Sequence, residues 1–173
     1  MVTERSYAPG MLEAIAGIRV LELGQVIAGP FCGQLLGDLG AEVVKVEPPA
    51  VGDVLRQWGH RTGDGDSLWW RVTGRNKRSV TIDLRTGDGQ ELVRRLVEKT
   101  DVLVENFRPG TMERWGLGWP ELSAVNPRLI MVRISGFGQD GPGTRSGPAG
   151  RPSPRRWRRS RHVSRTARPG RTR

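Results

Sequence analysis

Apolar and polar residues in the first third of the chain alternate between strand-like and helical patterns. Residues 18–23 form a short apolar-rich run that ends at Gly24, a pattern typical of a strand. Residues 42–47 are again mostly apolar over the length of a strand, and two prolines follow them. Between these runs, residues 30–39 place their large apolar side chains at helical spacing, at Phe31, Leu35, Leu36 and Leu39. This order predicts a βαβ unit with parallel strands and a right-handed crossover.

The same alternation continues along the chain as far as residue 134. The pattern predicts strands at 79–84, 101–105 and 129–134, a helix at 88–99, and short helical turns at 111–115 and 120–125. Strands that alternate with helical segments are typical of layered α/β folds. We therefore predict an α/β fold with a Rossmann-like, mainly parallel sheet and flanking helices, in which a ligand binds beyond the carboxyl ends of the strands.

Positive charge is concentrated at the end of the sequence. Of the 28 basic residues, 11 are arginines within 141–173, which contains no Asp or Glu, so that 17 basic and 18 acidic residues remain in 1–140. The large apolar residues of 141–173 are only Trp157 and Val163, too few to offset the entropy of ordering that segment. We therefore predict an N-terminal lead at 1–14, an incomplete folded domain at 15–142 and a disordered tail at 143–173.

Cysteine content and hydropathy indicate a cytoplasmic protein. Cys32 is the single cysteine, which excludes an internal disulfide and fits a reducing compartment. No apolar run approaches the length of a membrane span, and residues 1–10 lack the apolar core of a signal peptide. We predict no membrane partner.

Neither the histidines nor the tryptophans predict a site. His60 and His162 are too isolated to bind a metal, and Asp64 and Asp66 resemble a calcium loop only faintly, because no glutamate follows at the required spacing. We predict no metal site. Core or interface packing is expected of the remaining aromatic set, with a ligand-stacking role for one member as the alternative: Trp58, Trp69, Trp70, Trp115 and Trp119.

The loop at 24–30 is a first candidate for ligand binding. It joins the first predicted strand to the start of a helix, where free backbone N–H groups favour a polar or anionic ligand. Its glycine spacing differs from the GxGxxG fingerprint of dinucleotide-binding proteins. A plain turn between strand and helix is the alternative.

Two further segments have residues suited to a nucleotide-bearing ligand. Residues 75–78, with the sequence RNKR, bring three cations together before a strand, where they could face phosphates or simply be solvated. Residues 105–110, with the sequence ENFRPG, combine an amide, an aromatic ring and a guanidinium in a turn that could hold an adenine, or could be a turn without a ligand.

Taken in order, six separated blocks closely resemble family III (CaiB/BaiF-type) CoA-transferases. The blocks are GIRVLEL at 17–23, AGPFCGQLLGDLGAEVVKVEPP at 28–49, NKRSVTIDL at 76–84, VLVENFRPG at 102–110, NPRLI at 126–130 and SGFG at 135–138. The resemblance covers about residues 12–142. It implies an α/β fold in which two subunits interlock as a homodimer, with CoA or acyl-CoA bound as substrate and no permanently bound cofactor.

The resemblance also implies a set of CoA-contacting residues. Matched motif by motif, these are Ile27, Ala28, Ile82, Asp83, Leu84, Arg85, Asn106, Phe107, Arg108 and Arg114. Two positions depart from the family. Pro48 stands where some members have an arginine that reaches a CoA phosphate, and Ile27 stands where the formyl-CoA transferase branch has a glutamine, which puts a formate or oxalate substrate in doubt.

The family's chemistry is nucleophilic catalysis by an aspartate. The carboxylate attacks an acyl-CoA to give a mixed anhydride, an enzyme–CoA thioester follows, and CoA passes to a carboxylic acid. The aspartate of the family lies in a Gly-Asp context after the SGFG block, whereas Asp140 is the last aspartate of this sequence and belongs to a turn. We therefore predict no catalytic residue in this chain, weak CoA binding at most and no turnover.

The family pattern breaks soon after Pro142, and the Arg-, Pro- and Gly-rich residues that follow resemble out-of-frame translation of GC-rich DNA. We expect a truncated or frameshifted form, a hypothesis that fails if resequencing of codons 141–151 finds no frame that restores a Gly-Asp segment. Two other functions stay open. One is an α-methylacyl-CoA racemase-type enzyme of the same fold, and the other is a polyanion- or nucleic-acid-binding protein that uses the basic tail without sequence specificity.

Overall fold

A computed structural model of the chain describes residues 13–63, 65 and 67–140. Over these residues the strands are β1 (Arg19–Glu22), β2 (Glu42–Glu47), β3 (Lys77–Thr81), β4 (Val102–Glu105) and β5 (Ile130–Arg133). The helices are α1 (Ala28–Asp38), α2 (Leu68–Thr73), α3 (Gly87–Val97), α4 (Thr111–Arg114) and α5 (Trp119–Val125), with a 3₁₀ turn at Val54–Gln57.

The strands form one parallel sheet in the order β3-β2-β1-β4-β5. The central strand β1 pairs with β2 on one side and with β4 on the other. The chain therefore winds outward from β1 in one direction and then returns to build the other half, which confirms the predicted α/β fold. The loops after β1 and β4 meet at this point of reversal, where open parallel sheets bind their ligands.

Alternating side chains of the strands pack on the two faces of the sheet. On one face, Leu21 and Leu103 pack with Val93 of α3 and Leu122 of α5. The opposite face is smaller and has Val20, Val43 and Val104 beside partly buried residues of α1 such as Leu36. Both faces of the central strands are therefore covered, whereas the edge strands β3 and β5 are more exposed.

Several predicted boundaries were wrong by a few residues. Helix α1 begins at Ala28, two residues before the predicted start, because proline is tolerated within the first helical turn and does not have to begin it. Strand β3 spans 77–81 instead of 79–84. The 3₁₀ turn and α2 were not predicted, because their starts depend on the Asp53 and Ser67 side chains as N-caps and their apolar residues do not form a buried stripe.

Core packing does not hold for three of the five tryptophans, and for these three interface packing stays a prediction. Trp58, Trp69 and Trp119 are between 44% and 50% exposed. Trp115 is partly buried against Phe107, and Trp70 lies under the guanidinium of Arg56. Aromatic content alone did not distinguish these environments.

Several sequence-based predictions lie outside the described residues. These are the N-terminal lead up to residue 12, Asp64 and Asp66, the boundary at 142 and the basic tail. Among the helices that the structure describes, none is long and apolar enough to cross a membrane.

Candidate ligand site at the carboxyl edge of the sheet

A cavity of about 440 Å³ opens at the carboxyl ends of the strands. Its lining follows β1 with Leu23 and Gln25, β2 with Val46 to Pro49 and Val51, β3 with Ile82 to Arg85, and β4 with Phe107, while Trp115 completes the wall. Phe107 and Trp115 meet edge to face, with ring centroids 5.2 Å apart. The cavity is therefore mostly apolar, with a few polar groups at its margin.

The structure brings five of the ten predicted CoA-contacting residues to this cavity. Ile82, Asp83, Leu84, Arg85 and Phe107 line it. The other five do not line it. Ile27 and Ala28 are exposed at the start of α1, and Arg108 is exposed after β4. Arg114 is exposed on α4, where its Nη2 donates to Thr111 Oγ1 at 2.9 Å, and Asn106 bonds to the loop after β1.

Asp83 and Arg85 form an ion pair at the cavity margin. Arg85 donates through Nε and Nη2 to the two carboxylate oxygens of Asp83, each at 2.8 Å. These side-chain hydrogen bonds, helped by the backbone N–H of Arg85, lower the pKa of Asp83 to about 2. The Arg85 side chain is 76% exposed, so its guanidinium is accessible to an anionic ligand as well as to Asp83.

Three central strands end in a buried glutamate that fixes the loop after it. Glu22, Glu47 and Glu105 are each at most 1% exposed. Glu47 Oε2 accepts the backbone N–H of Asp53 at 2.7 Å, and Glu105 Oε2 accepts that of Phe107 at 2.6 Å. Glu22 acts through Lys45, whose Nζ also donates to the carbonyl of Gly24 at 2.6 Å. These carboxylates therefore set the positions of the loops that surround the cavity.

A fully buried charge cluster lies beside the first of these loops. Lys45 Nζ is 2.8 Å from Glu22 Oε1 and 2.9 Å from Asp53 Oδ2, and all three side chains are inaccessible to solvent. Lys77 Nζ lies 2.7 Å from the other Glu22 oxygen. Burial lowers the pKa of Lys77, and the attraction of Glu22 opposes that effect. The two cations and two carboxylates compensate each other within the protein interior.

Glu47 is the centre of a second network. Arg56 donates to both of its oxygens at 2.7 Å, and Ser79 Oγ donates to Oε1. Burial of the carboxyl favours its neutral form, but the hydrogen bonds from Arg56, Ser79 and the Asp53 backbone outweigh burial and lower the pKa of Glu47 to about 2.

This pKa leads to a prediction for stability in acid. A carboxyl whose pKa falls from 4.5 to about 2 on folding stabilises the protein fully above pH 4.5 and loses that effect as the pH approaches 2. Glu47→Gln should lower the free energy of unfolding by about 2 kcal/mol at pH 7. This value takes into account that Arg56 is partly exposed, so that solvent weakens its ion pair with Glu47. Urea unfolding across pH 2 to 7 should show the difference from the unsubstituted protein shrinking in acid; a constant difference would contradict the assignment. Exposed Glu98→Gln is the control.

The sequence left two interpretations of the cations in residues 75–78 open, and the structure pairs each cation with a carboxylate of this chain. Arg75 pairs with Asp38 and Arg78 pairs with Glu42, each within 2.7 Å, while Lys77 is held in the buried cluster. None of the three lines the cavity. Arg75 and Arg78 are partly exposed as well as paired, so a phosphate-facing role for this segment stays a prediction.

Sequence reasoning missed the buried charges and the network that they form. The interpretation of 42–47 as a mostly apolar strand did not assign a role to Lys45 or Glu47, and Asp53 was not considered. The available signal was a glutamate at the end of three strands, in LEL, KVEP and VEN. That repetition is unusual for residues that should be solvated, because glutamate is almost never fully buried without a partner.

Both the sequence and the fold are similar to those of known proteins. A model of the family described as CoA-transferase family III matches residues 15–150. A succinyl-CoA–D-citramalate CoA-transferase from Chloroflexus aurantiacus is 66% identical over 125 residues, which are 72% of this chain and 31% of that protein. The β subunit of a succinyl-CoA–L-malate CoA-transferase from the same organism is 56% identical over 128 residues, 74% of this chain and 32% of that subunit.

Solved structures show the same similarity. A CaiB/BaiF family protein from Brucella suis has 44% sequence identity and a TM-score of 0.71, over 76% of this chain and 36% of that one. This chain spans about a third of the length of the curated relatives it matches. The matched region includes β1 to β5 and every residue that lines the cavity.

Proposed function

Because this chain belongs to CoA-transferase family III, we propose that its cavity binds the CoA part of an acyl-CoA from which CoA is transferred to a carboxylic acid. The observation that carries the proposal is the position of the cavity at the carboxyl ends of four parallel strands, lined by residues 82–85 and Phe107. Those are residues for which the family resemblance implies CoA contact. They come from two distant parts of the sequence, and the fold brings them to one wall.

The size and chemistry of the cavity support this proposal. Its volume of about 440 Å³ lies within the range of small-molecule sites. The apolar wall formed by Leu23, Val46 and Ile82 suits an adenine ring or the pantetheine arm, and Phe107 presents an aromatic surface. Arg85 at the margin is suited to a phosphate, because a guanidinium makes charge-assisted hydrogen bonds to phosphate oxygens.

The chemical step of the proposed reaction is nucleophilic. An aspartate carboxylate attacks the thioester carbonyl and expels the CoA thiolate, which leaves a mixed anhydride on the enzyme. The thiolate then attacks the anhydride at the enzyme's acyl carbon, which releases the donor acid and forms an enzyme–CoA thioester. Attack by the acceptor carboxylate repeats these steps in reverse. We assign none of these covalent steps to a described residue.

The donor that we propose is a short dicarboxylic acyl-CoA such as succinyl-CoA, with a second dicarboxylic acid as acceptor. The support comes from the two curated relatives from Chloroflexus aurantiacus, whose names specify succinyl-CoA with D-citramalate or L-malate. Both named reactions transfer CoA. The CoA site is therefore the part of the proposal that the residues of this chain support most directly.

Arg85→Ala should weaken CoA binding by the full chain about tenfold, because one charge-assisted contact to phosphate is lost. Isothermal titration calorimetry with CoA measures the effect. Arg95→Ala is the matched control, since Arg95 is exposed on α3 and does not line the cavity. Equal affinity of the Arg85 and Arg95 variants would contradict the assignment of Arg85.

Loss of Arg85 also leaves Asp83 without its ion pair, and an unpaired carboxylate at the cavity margin repels phosphate. The double variant Asp83→Asn/Arg85→Ala separates the two effects. If the arginine contacts CoA, removing the carboxylate recovers only part of the affinity. Full recovery would show that Arg85 serves only to neutralise Asp83.

A further inference from the structure

The loop between β1 and α1 is held in a conformation that its sequence does not favour. Val26 has a φ of 67°, in the left-handed region. A β-branched residue is a genuine outlier there and persists only where the surroundings fix it, usually next to a functional site. Gln25, the preceding residue, lines the cavity. Side chains from distant parts of the sequence hydrogen-bond to this loop.

Asn106 makes a pair of hydrogen bonds to the backbone of Gln25. Its Oδ1 accepts the Gln25 N–H at 2.8 Å, and its Nδ2 donates to the Gln25 carbonyl at 2.9 Å. The amide thus bonds both backbone groups of one residue, 81 positions away in the sequence, as a neighbouring strand would. Asp53 Oδ1 adds a longer contact to the Val26 N–H at 3.4 Å.

Two glycines make the space that the Asn106 amide occupies. A Cβ at Gly24 would lie 2.8 Å from Asn106 Oδ1, and a Cβ at Gly29 would lie 2.9 Å from the same atom. Both separations are below the contact distance that real side chains keep. The loop sequence GQVIAG therefore accommodates Asn106 between its first and last residues.

We propose that Asn106 is a positioning residue that fastens the β1–α1 loop to the end of β4, so that Gln25 and Phe107 are both held in place along the wall of the CoA cavity. This inference rests on the proposed function for the identity of the ligand. It revises the direct CoA contact that the family resemblance implies for Asn106, because its amide oxygen and nitrogen are engaged with Gln25 and Asn106 does not line the cavity.

Without Asn106 the loop has more conformations available, and the ligand-ready conformation becomes a fraction of the population. The apparent affinity for CoA falls in proportion to the share of molecules that adopt the ligand-ready conformation. Asn106→Ala should therefore weaken CoA binding by about tenfold and also speed amide hydrogen exchange at Gln25 by at least about tenfold in the absence of CoA. Exchange at Leu103, in the core of β4, should stay as in the unsubstituted protein, which reports that the variant is folded.

Asn106→Asp gives a second test with a pH dependence. The introduced carboxylate keeps an acceptor for the Gln25 N–H but has no donor for the Gln25 carbonyl. Protonation restores the donor, so the loss of Gln25 protection should shrink as the pH is lowered from about 7 to about 4, close to the carboxyl range. The readout at each pH is the ratio to the unsubstituted protein. If Asn106→Ala does not fold, the Asn106→Asp variant alone is sufficient to test the proposal.

The decisive experiment is amide exchange by NMR on the full chain and both variants, with CoA titrated in parallel. Fast exchange at Gln25 in Asn106→Ala, with protection regained by Asn106→Asp in acid, is the expected result. Unchanged Gln25 exchange together with weakened CoA binding in Asn106→Ala would overturn the positioning role, because the amide would then act on the ligand itself. Absence of CoA binding by the unsubstituted chain would instead refute the proposed function. The rate of amide exchange at Gln25 in the variants would still show whether Asn106 holds the β1–α1 loop.

Discussion

Lys45→Met is expected to destabilise the protein by about 3–5 kcal/mol, a large part of the stability of a domain of this size. The ammonium of Lys45 is fully buried against Glu22 and Asp53. Methionine preserves the length of the side chain but leaves Asp53 without its cation and the Gly24 carbonyl without its donor. Removing one member of a buried ion pair is costly because the remaining charge is left uncompensated in a medium of low polarity.

Urea unfolding of the Lys45→Met variant, followed by circular dichroism, measures this loss. Lys99→Met is the matched control, because Lys99 is exposed at the end of α3 and its substitution removes the same charge. A change within about 0.5 kcal/mol of that for Lys99→Met would show that the buried cluster contributes little.

Gly89→Ala is expected to be the most disruptive single substitution near the cavity. A Cβ at this position in the first turn of α3 would lie 1.9 Å from the backbone oxygen of Asp83, far inside van der Waals contact. The chain must shift at the end of β3, where Asp83 and its neighbours line the cavity. We expect a loss of about 3 kcal/mol in the free energy of unfolding and weaker CoA binding, because overpacking displaces the wall.

The control for Gly89 lies two residues away in the same helix. A Cβ at Gly87 meets no atom within 4 Å, so Gly87→Ala should be neutral or stabilise the protein by up to about 1 kcal/mol. Thermal unfolding and calorimetric titration of both variants with CoA provide the comparison. Similar behaviour of the two alanine variants would contradict the close approach of Asp83 and α3.

Periodicity was sufficient to predict the order of strands and helices that build the parallel sheet. Strand β2, at Glu42–Glu47, was predicted to the residue because its apolar run stands between a glycine and two prolines. Helix α2 was not predicted. It is six residues long, and its start depends on hydrogen bonds from two backbone N–H groups to the Ser67 side chain, which a hydrophobic pattern does not report.

The candidate site was only partly predictable for a related reason. Motif resemblance selected residues 82–85 and Phe107, which the structure places at the cavity, although periodicity extended the third strand to residue 84. It could not distinguish a residue that contacts the ligand from one that holds a loop, as the pairing of Asn106 with Gln25 illustrates. The partners of Lys45 lie 23 and 8 positions from it in the sequence, on different elements, so their contact depends on tertiary structure.

The proposed function requires that the cavity at the carboxyl edge of the sheet binds CoA. Mapping amide chemical shifts of the full 173-residue chain during a CoA titration tests it most directly. We predict saturable shifts at Val46, at residues 82–85 and at Phe107, and none in the last turn of α3, which leads to the opposite edge of the sheet. Shifts that avoid these residues, or that are confined to the last turn of α3, would contradict the account.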